Sequence, residues 1–354
     1  MLEAASLEPD AHRVRQAAAA VRTWAGVLSE ARRHHLSPLV ARSLRRCNVD
    51  CPISAQLGED WQRTRALNVV RLCDAREVLQ ALVGAGVVPV VLKGLALLET
   101  MYRDLGLRDF CDLDVLLRAD DLKAAEAALS ALGFREEPTL HDRAWYENYY
   151  YHLRFYRRAE ALLVELHWDL GRRPHPFNLD CAAMIDRSVA LSVAEVGVRS
   201  LDREDLLLHL IVHLSWGNGF DGHLRGLVDI AELIRRGVDW PRFLHRAELA
   251  VLEQASLPTL ELAQWLLRAE VPGEVLASLR LRAGGPVTRF VVAKAQERVF
   301  GNGRGRRTLL RLCWLKRPSA RYSLLRENFS LDRRPATLLA SAKNALSVLW
   351  PGRS

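Results

Sequence analysis

Asp112 and Asp114, in the run CDLDVLL, stand two residues apart in a stretch that otherwise alternates like a half-buried strand. Period-two alternation sends both carboxylates to one face and Leu113 and Val115 to the other. Like charges held this close repel unless solvent or a cation compensates them, and a divalent metal ion supplies that cation. Mg²⁺ favours a few carboxylates together with substrate phosphates, and two-metal sites clamp the attacking and leaving oxygens of an in-line phosphoryl transfer. A third carboxylate stands in LLVELHWDL, where Glu165 sits mid-strand in an apolar run and shares its face with His167. Upstream, VVPVVLKG ends on Lys93 and Gly94. A glycine directly after a buried strand lets backbone N–H groups approach a triphosphate, and Lys93 adds a charge within reach of its β or γ phosphate. Taken alone, the aspartate pair reads equally well as the wet face of an exposed edge strand. The ordered set of strand, glycine turn, helix, Asp-x-Asp strand and later carboxylate strand is more specific than any member.

The surrounding elements follow from periodicity. Residues 10–85 carry apolar positions at helical spacing, first Val14, Ala18, Val21, Trp24 and Leu28, then Ala66, Val70, Leu72, Ala75, Val78 and Leu82, until Gly84 and Gly86 end the pattern. Residues 87–92 are short, β-branched and bounded by glycines, which predicts a buried strand. A helix over LALLETMY, the Asp-x-Asp strand and a helix closed by Gly133 come next. Residues 151–157 and 161–168 read as paired strands, VALSVAEVGVRSL as another pair, and the chain beyond Asp202 as helical. The expected fold class is α+β: a small mixed sheet flanked by helical regions, divided as 1–85, a core at 86–200, a helical domain at 201–300 and a basic helical tail at 301–354.

Composition agrees with a folded chain, at 354 residues with 49% hydrophobic and 26% charged. The longest uncharged apolar stretch, residues 81–92, is shorter than the ~20 residues of a membrane-spanning helix. The first residues carry Glu3, Glu8 and Asp10 rather than a basic segment and an apolar run, so a cytoplasmic protein is expected. Six scattered cysteines, of which only Cys47 and Cys51 lie close together, read as reduced structural thiols. The net charge of +8 is concentrated in residues 301–354, where twelve Lys or Arg stand against Glu327 and Asp332. Such a region offers RNA an electrostatic contact; its plainer reading is a set of solvated helix faces.

This layout resembles the polymerase-β-type nucleotidyltransferase superfamily, whose signature is a strand, a glycine turn, a helix, an Asp-x-acid strand and a third acidic strand. Within it, LKG, CDLDVLL, AAEAALSALGF and VELHWDL are similar to a bacterial nucleotidyltransferase family with an LKG turn, and ARRHHLSPLVARSL and LRGLVDIAELI to that family's helical flanks. The likeness spans roughly residues 25–240. It implies that Gly94 forms the phosphate turn, that Asp112, Asp114 and Glu165 are the catalytic metal ligands, and that Arg108 is aimed at a phosphate. The superfamily's usual Ser after the glycine is Leu95 here, and a Lys93 contact takes its place. The implied activity moves a nucleoside monophosphate from an NTP to a hydroxyl of a small molecule, peptide or protein, with Mg²⁺, or Mn²⁺, as cofactor. An RNA or tRNA acceptor, in a toxin-like or RNA-processing enzyme, and an inactive nucleotide-binding module are the alternatives.

Other signals are weaker. His209 and His213 share a helix face without the Glu of a zinc hydrolase motif, which predicts a structural pair, with His213 able to line the cleft. Arg225 and Asp229 lie one turn apart, as in a helix salt bridge or a recognition surface. His167 suits an orienting role, and the aromatic run WYENYYYHLRFY suits packing on the sheet or stacking on bases. The Gly-x-Gly at residues 84–86 precedes its strand, and no Walker A sequence is present, which argues against a dinucleotide fold and a P-loop kinase.

Overall fold

The computed structural model describes residues 1–138, 142–157, 162–220 and 224–300, with Arg311, Trp314, Leu315, Arg321 and Leu324. The helical N-terminal part divides into α1 (Ala11–Ala19), α2 (Trp24–Arg33), α3 (Ser37–Arg46) and α4 (Ser54–Gly84). The breaks follow left-handed residues: His35 and Asn48, just past α2 and α3, take φ of 57° and 53°, and Gly86 takes 80° beyond α4. Asp10 caps α1 by accepting from the amides of His12 and Arg13.

The chain then alternates through β1 (Val90–Val91), α5 (Lys93–Leu97), β2 (Asp112–Leu116), α6 (Leu122–Ala131), β3 (Arg135–Glu136), α7 (Arg143–Tyr149), β4 (His152–Tyr156), β5 (Leu163–His167), α8 (Cys181–Asp186), β6 (Val189–Val193) and β7 (Val196–Ser200). It closes with α9 (Arg203–Val212), α10 (Leu224–Arg235), α11 (Trp240–Leu249), α12 (Glu253–Leu267), α13 (Gly273–Ala283) and α14 (Pro286–Phe300). The seven strands form one mixed sheet in the order β3-β4-β5-β2-β1-β7-β6, with β2–β5 and β1–β7 parallel and the other pairs antiparallel. The α+β expectation therefore holds. The strand expected over 87–92 is shorter, because Pro89 has no N–H for the ladder; its carbonyl accepts from Arg199 at 3.0 Å instead. Two π-turns, Leu98–Tyr102 after α5 and His213–Gly217 after α9, were not signalled by periodicity.

Helix α4 corrects the apolar pattern read for it. Ala75, Val78 and Leu82 are buried as expected, but Ala66 and Val70 face solvent, and the fully buried residue between them is Asn68. Its amide donates to the carbonyls of Leu105 at 2.7 Å and Arg108 at 2.8 Å, and its side-chain oxygen accepts from Phe110 N at 3.3 Å. One side chain thus satisfies three backbone groups of the loop that enters β2. Trp61 of α4 presses on the same loop so closely that a Cβ on Gly106 would lie 2.3 Å from its Nε1.

Among the described residues no helix is long and apolar enough to cross a membrane. Most of region 301–354, with the RNA contact expected of it, and residues 158–161 lie outside the described residues. Trp314 is buried and stacks on Trp216 with ring centroids 6.1 Å apart.

An Asn68→Ala chain is expected to lose about 3 kcal/mol of stability in urea unfolding, since each buried backbone group left unpaired costs about 1 kcal/mol or more. A loss well under about 1 kcal/mol would show that the loop is held by other means.

Candidate functional site

Strands β2 and β5 run parallel with Asp114 opposite Glu165 and Leu116 opposite His167. Because side chains at alternate positions share a face, this register gathers Asp112, Asp114, Glu165 and His167 on one side of the sheet, while Leu113, Val115, Val164 and Leu166 fill the core on the other. Antiparallel β4 adds a third column, with Arg154 opposite Glu165 and His152 opposite His167. Carboxylate oxygens of Asp112, Asp114 and Glu165 all lie within 4.8 Å of one another.

Asp114 is buried and doubly held: Lys93 Nζ and His167 Nε2 each lie 2.9 Å from its Oδ1. Burial works against its charge, but the Lys93 ammonium and the His167 bond outweigh it and keep Asp114 well below the usual carboxylate range. Among the described residues Asp112 has no such partners, and burial followed by repulsion from Asp114 pushes it up to about 6. Lys93 is raised despite burial, because Asp114, Asp112 and Glu165 surround it. His167 is raised too: burial opposes its charge, and its bonds to Asp114 and Glu165 overcome that. This donor set fits a hard divalent cation. Three anionic oxygens converge, and the repulsion carried by Asp112 is what such an ion would relieve.

Lys93 turns the chain from β1 into α5 at a φ of 36°, an uncommon conformation for a residue with a Cβ and one that costs on the order of 1–3 kcal/mol. A Cβ at Gly94 would lie 3.0 Å from Phe110 Cβ and 3.1 Å from Arg108 Nη1. Packing against the entry to β2 thus accounts for the glycine before any ligand is considered.

The structure distributes the other expected residues differently. Arg108, expected to reach a phosphate, is buried and commits Nε and Nη2 to Asp229 at 3.0 and 2.8 Å and Nη1 to the Asp109 carbonyl at 3.2 Å. Asp229 also accepts from Tyr102 Oη at 2.7 Å. Arg225 turns to Asp109, which is also 3.4 Å from His35 Nδ1. The Arg225–Asp229 helix bridge is therefore replaced by two pairs joining α10 to the loop before β2. His213 is pushed down to about 3 by burial and by the charge of Lys93, and its Nε2 lies 3.3 Å from the Asn218 amide. His209 is buried with neither ring nitrogen hydrogen-bonded to a described residue.

Sequence reasoning missed His152, Asn68, Tyr102 and Asp109. Only His152 had a signal: it alternates with Arg154 in a predicted strand, on the face that turns out to meet Glu165. The aromatic run is mostly half-buried, with Tyr149 and Tyr156 exposed. It forms α7 and leads into β4, with the Tyr151 ring 4.3 Å from His152 and 5.6 Å from His167.

A family model described as "Uncharacterised nucleotidyltransferase" matches residues 21–268, well over half of the chain. No curated protein matches. Among solved structures, a crystal structure of ANT(2″)-Ia in complex with adenylyl-2″-tobramycin is 13% identical over 50% of this chain and 95% of that one, with a TM-score of 0.36. A solution structure of the antibiotic-resistance factor ANT(2″)-Ia is 14% identical over 65% and 98%, with a TM-score of 0.32.

The buried Arg108–Asp229 pair generates a stability cycle. Asp229→Ala is expected to cost about 3–5 kcal/mol by stranding a buried guanidinium, and the double change Arg108→Met with Asp229→Leu should recover much of that loss. Additive losses in denaturant titrations would show that the two residues act independently.

Proposed function

This chain belongs to the uncharacterised nucleotidyltransferase family, and on that premise we propose that the face of β2 and β5 transfers a nucleoside monophosphate from an NTP to an acceptor hydroxyl. The acceptor hydroxyl gives its proton to solvent or to the Glu165 carboxylate as its oxygen attacks the α-phosphorus, the bond to the oxygen bridging the α and β phosphates breaks, and pyrophosphate leaves. The observation that carries this reading is the convergence of the Asp112, Asp114 and Glu165 carboxylates on two adjacent strands, beside the turn at Lys93 and Gly94.

Asp112, Asp114 and Glu165 would hold Mg²⁺, or Mn²⁺, whose charge when bound neutralises the triphosphate and polarises its phosphoryl oxygens. Lys93 carries a fixed positive charge beside these carboxylates and is the residue suited to a polyphosphate oxygen. Gly94 keeps that turn low against Phe110 and Arg108. Arg108 acts indirectly, by bracing the loop that leads into β2. Glu165 lies 3.3 Å from His167 and 3.4 Å from Arg154, contacts that hold its carboxylate beside the other two. His167 orients Asp114 and Glu165 together. Positioning and electrostatics supply most of the acceleration in such a transfer.

Incubation with each α-labelled NTP and Mg²⁺ should release pyrophosphate and move label into a small-molecule, protein or RNA fraction, which identifies the acceptor class. The Asp112→Ala/Asp114→Ala chain is expected to lose activity by about 10²–10³-fold or more, and a chelator should abolish it. Equal pyrophosphate release by wild type and variant would overturn the reading.

A further inference from the structure

We propose that His152, Glu165 and His167 form a second cation position, one that takes a first-row transition-metal dication such as Zn²⁺, beside the carboxylate position at Asp112 and Asp114. Antiparallel pairing sets His152 directly opposite His167, and Glu165 precedes His167 by two residues on the same face. Both imidazoles approach one oxygen: Glu165 Oε2 is 3.3 Å from His167 Nε2 and 3.7 Å from His152 Nδ1. Donors bound to one ion at ~2.1 Å in a tetrahedral arrangement lie about 3.4 Å apart, near both of these separations, and the three donor atoms all lie within 4.8 Å of one another.

A second observation points to the same ligand. His152 is 4% exposed and its Nδ1, directed at the Glu165 oxygen, has no hydrogen-bond partner among the described residues. A buried polar atom left this way is costly, and a cation would satisfy it. The chemistry of the donors separates this position from its neighbour. Imidazole nitrogens with one carboxylate suit zinc and its first-row relatives, whereas the oxygens of Asp112 and Asp114 suit Mg²⁺ or Mn²⁺. Glu165, with its side chain 12% exposed, connects the two positions and leaves a way in for the ion. The inference concerns ion binding; it shares Glu165 and His167 with the transfer site, and on taking the ion His167 Nε2 would give up its 2.9 Å bond to Asp114.

The test uses the full chain without an added histidine tag, stripped of metal and titrated with Zn²⁺ by calorimetry in excess Mg²⁺. Wild type should retain one equivalent, Asp112→Asn should bind it nearly as well, and His152→Gln should bind roughly 100-fold more weakly, as expected for loss of a direct ligand. Pulsed electron paramagnetic resonance of Cu²⁺ bound to the wild type should show imidazole nitrogen coupling, a readout that needs no variant to fold. Absence of Zn²⁺ binding, absence of nitrogen coupling, or an Asp112→Asn loss as large as that of a folded His152→Gln chain would overturn the proposal. Pyrophosphate release, measured separately, reports on the transfer reading alone.

Discussion

Parallel pairing of β2 with β5 places Asp114 directly across from Glu165, and strand alternation adds Asp112 to the same face. Once that register is set, three carboxylates must share one small region of a buried sheet. Two unit charges about 4 Å apart repel by on the order of 4 kcal/mol at an effective dielectric near 20, so the rest of the site is organised as compensation. Lys93 and His167 take up Asp114, while Arg154, His167 and His152 surround Glu165. Asp112 is left bearing the residual repulsion. The strained backbone at Lys93 fits the same logic, since that φ belongs to the residue whose ammonium lies against Asp114.

A second set of ion pairs lies around the first and does different work. Arg108–Asp229 and Arg225–Asp109 hold the loop from Arg103 into β2. Buried pairs contribute little net stability over well-packed apolar residues, but removing one partner is costly, so they favour one arrangement over nearby alternatives. Asn68 contributes to the same end from the opposite side by satisfying the loop's backbone. The start of β2 is thereby held between α4 and α10, elements more than a hundred residues apart. That dependence is consistent with a family match that extends well past the sheet, to residue 268.

The elements of the fold were largely legible in the sequence. Period-two alternation marked β2, β4 and β5, and the valine-rich pair at 189–200 became β6 and β7. Glycines at 86 and 133 marked real helix ends, each with positive φ. Errors arose where a local rule met a long-range demand. On α4, apolar Ala66 and Val70 looked like the inward face, yet Asn68 faces inward because the β2 loop needs its hydrogen bonds. Arg225 and Asp229, spaced for a helix bridge, each found a stronger partner on another element.

By itself the sequence determined which residues share a strand face and what chemistry they could perform, because alternation and turn preferences act over a few neighbouring residues. Asp112, Asp114, Glu165, Lys93 and Gly94 were singled out on that basis. Only the tertiary structure decided that β5 lies beside β2 in the register that opposes Asp114 and Glu165, that β4 brings His152 to His167, and that Arg108 serves Asp229 rather than an open cleft. Those outcomes depend on strand order and on contacts between distant elements, where burial and charge pairing select among partners that local spacing leaves equivalent.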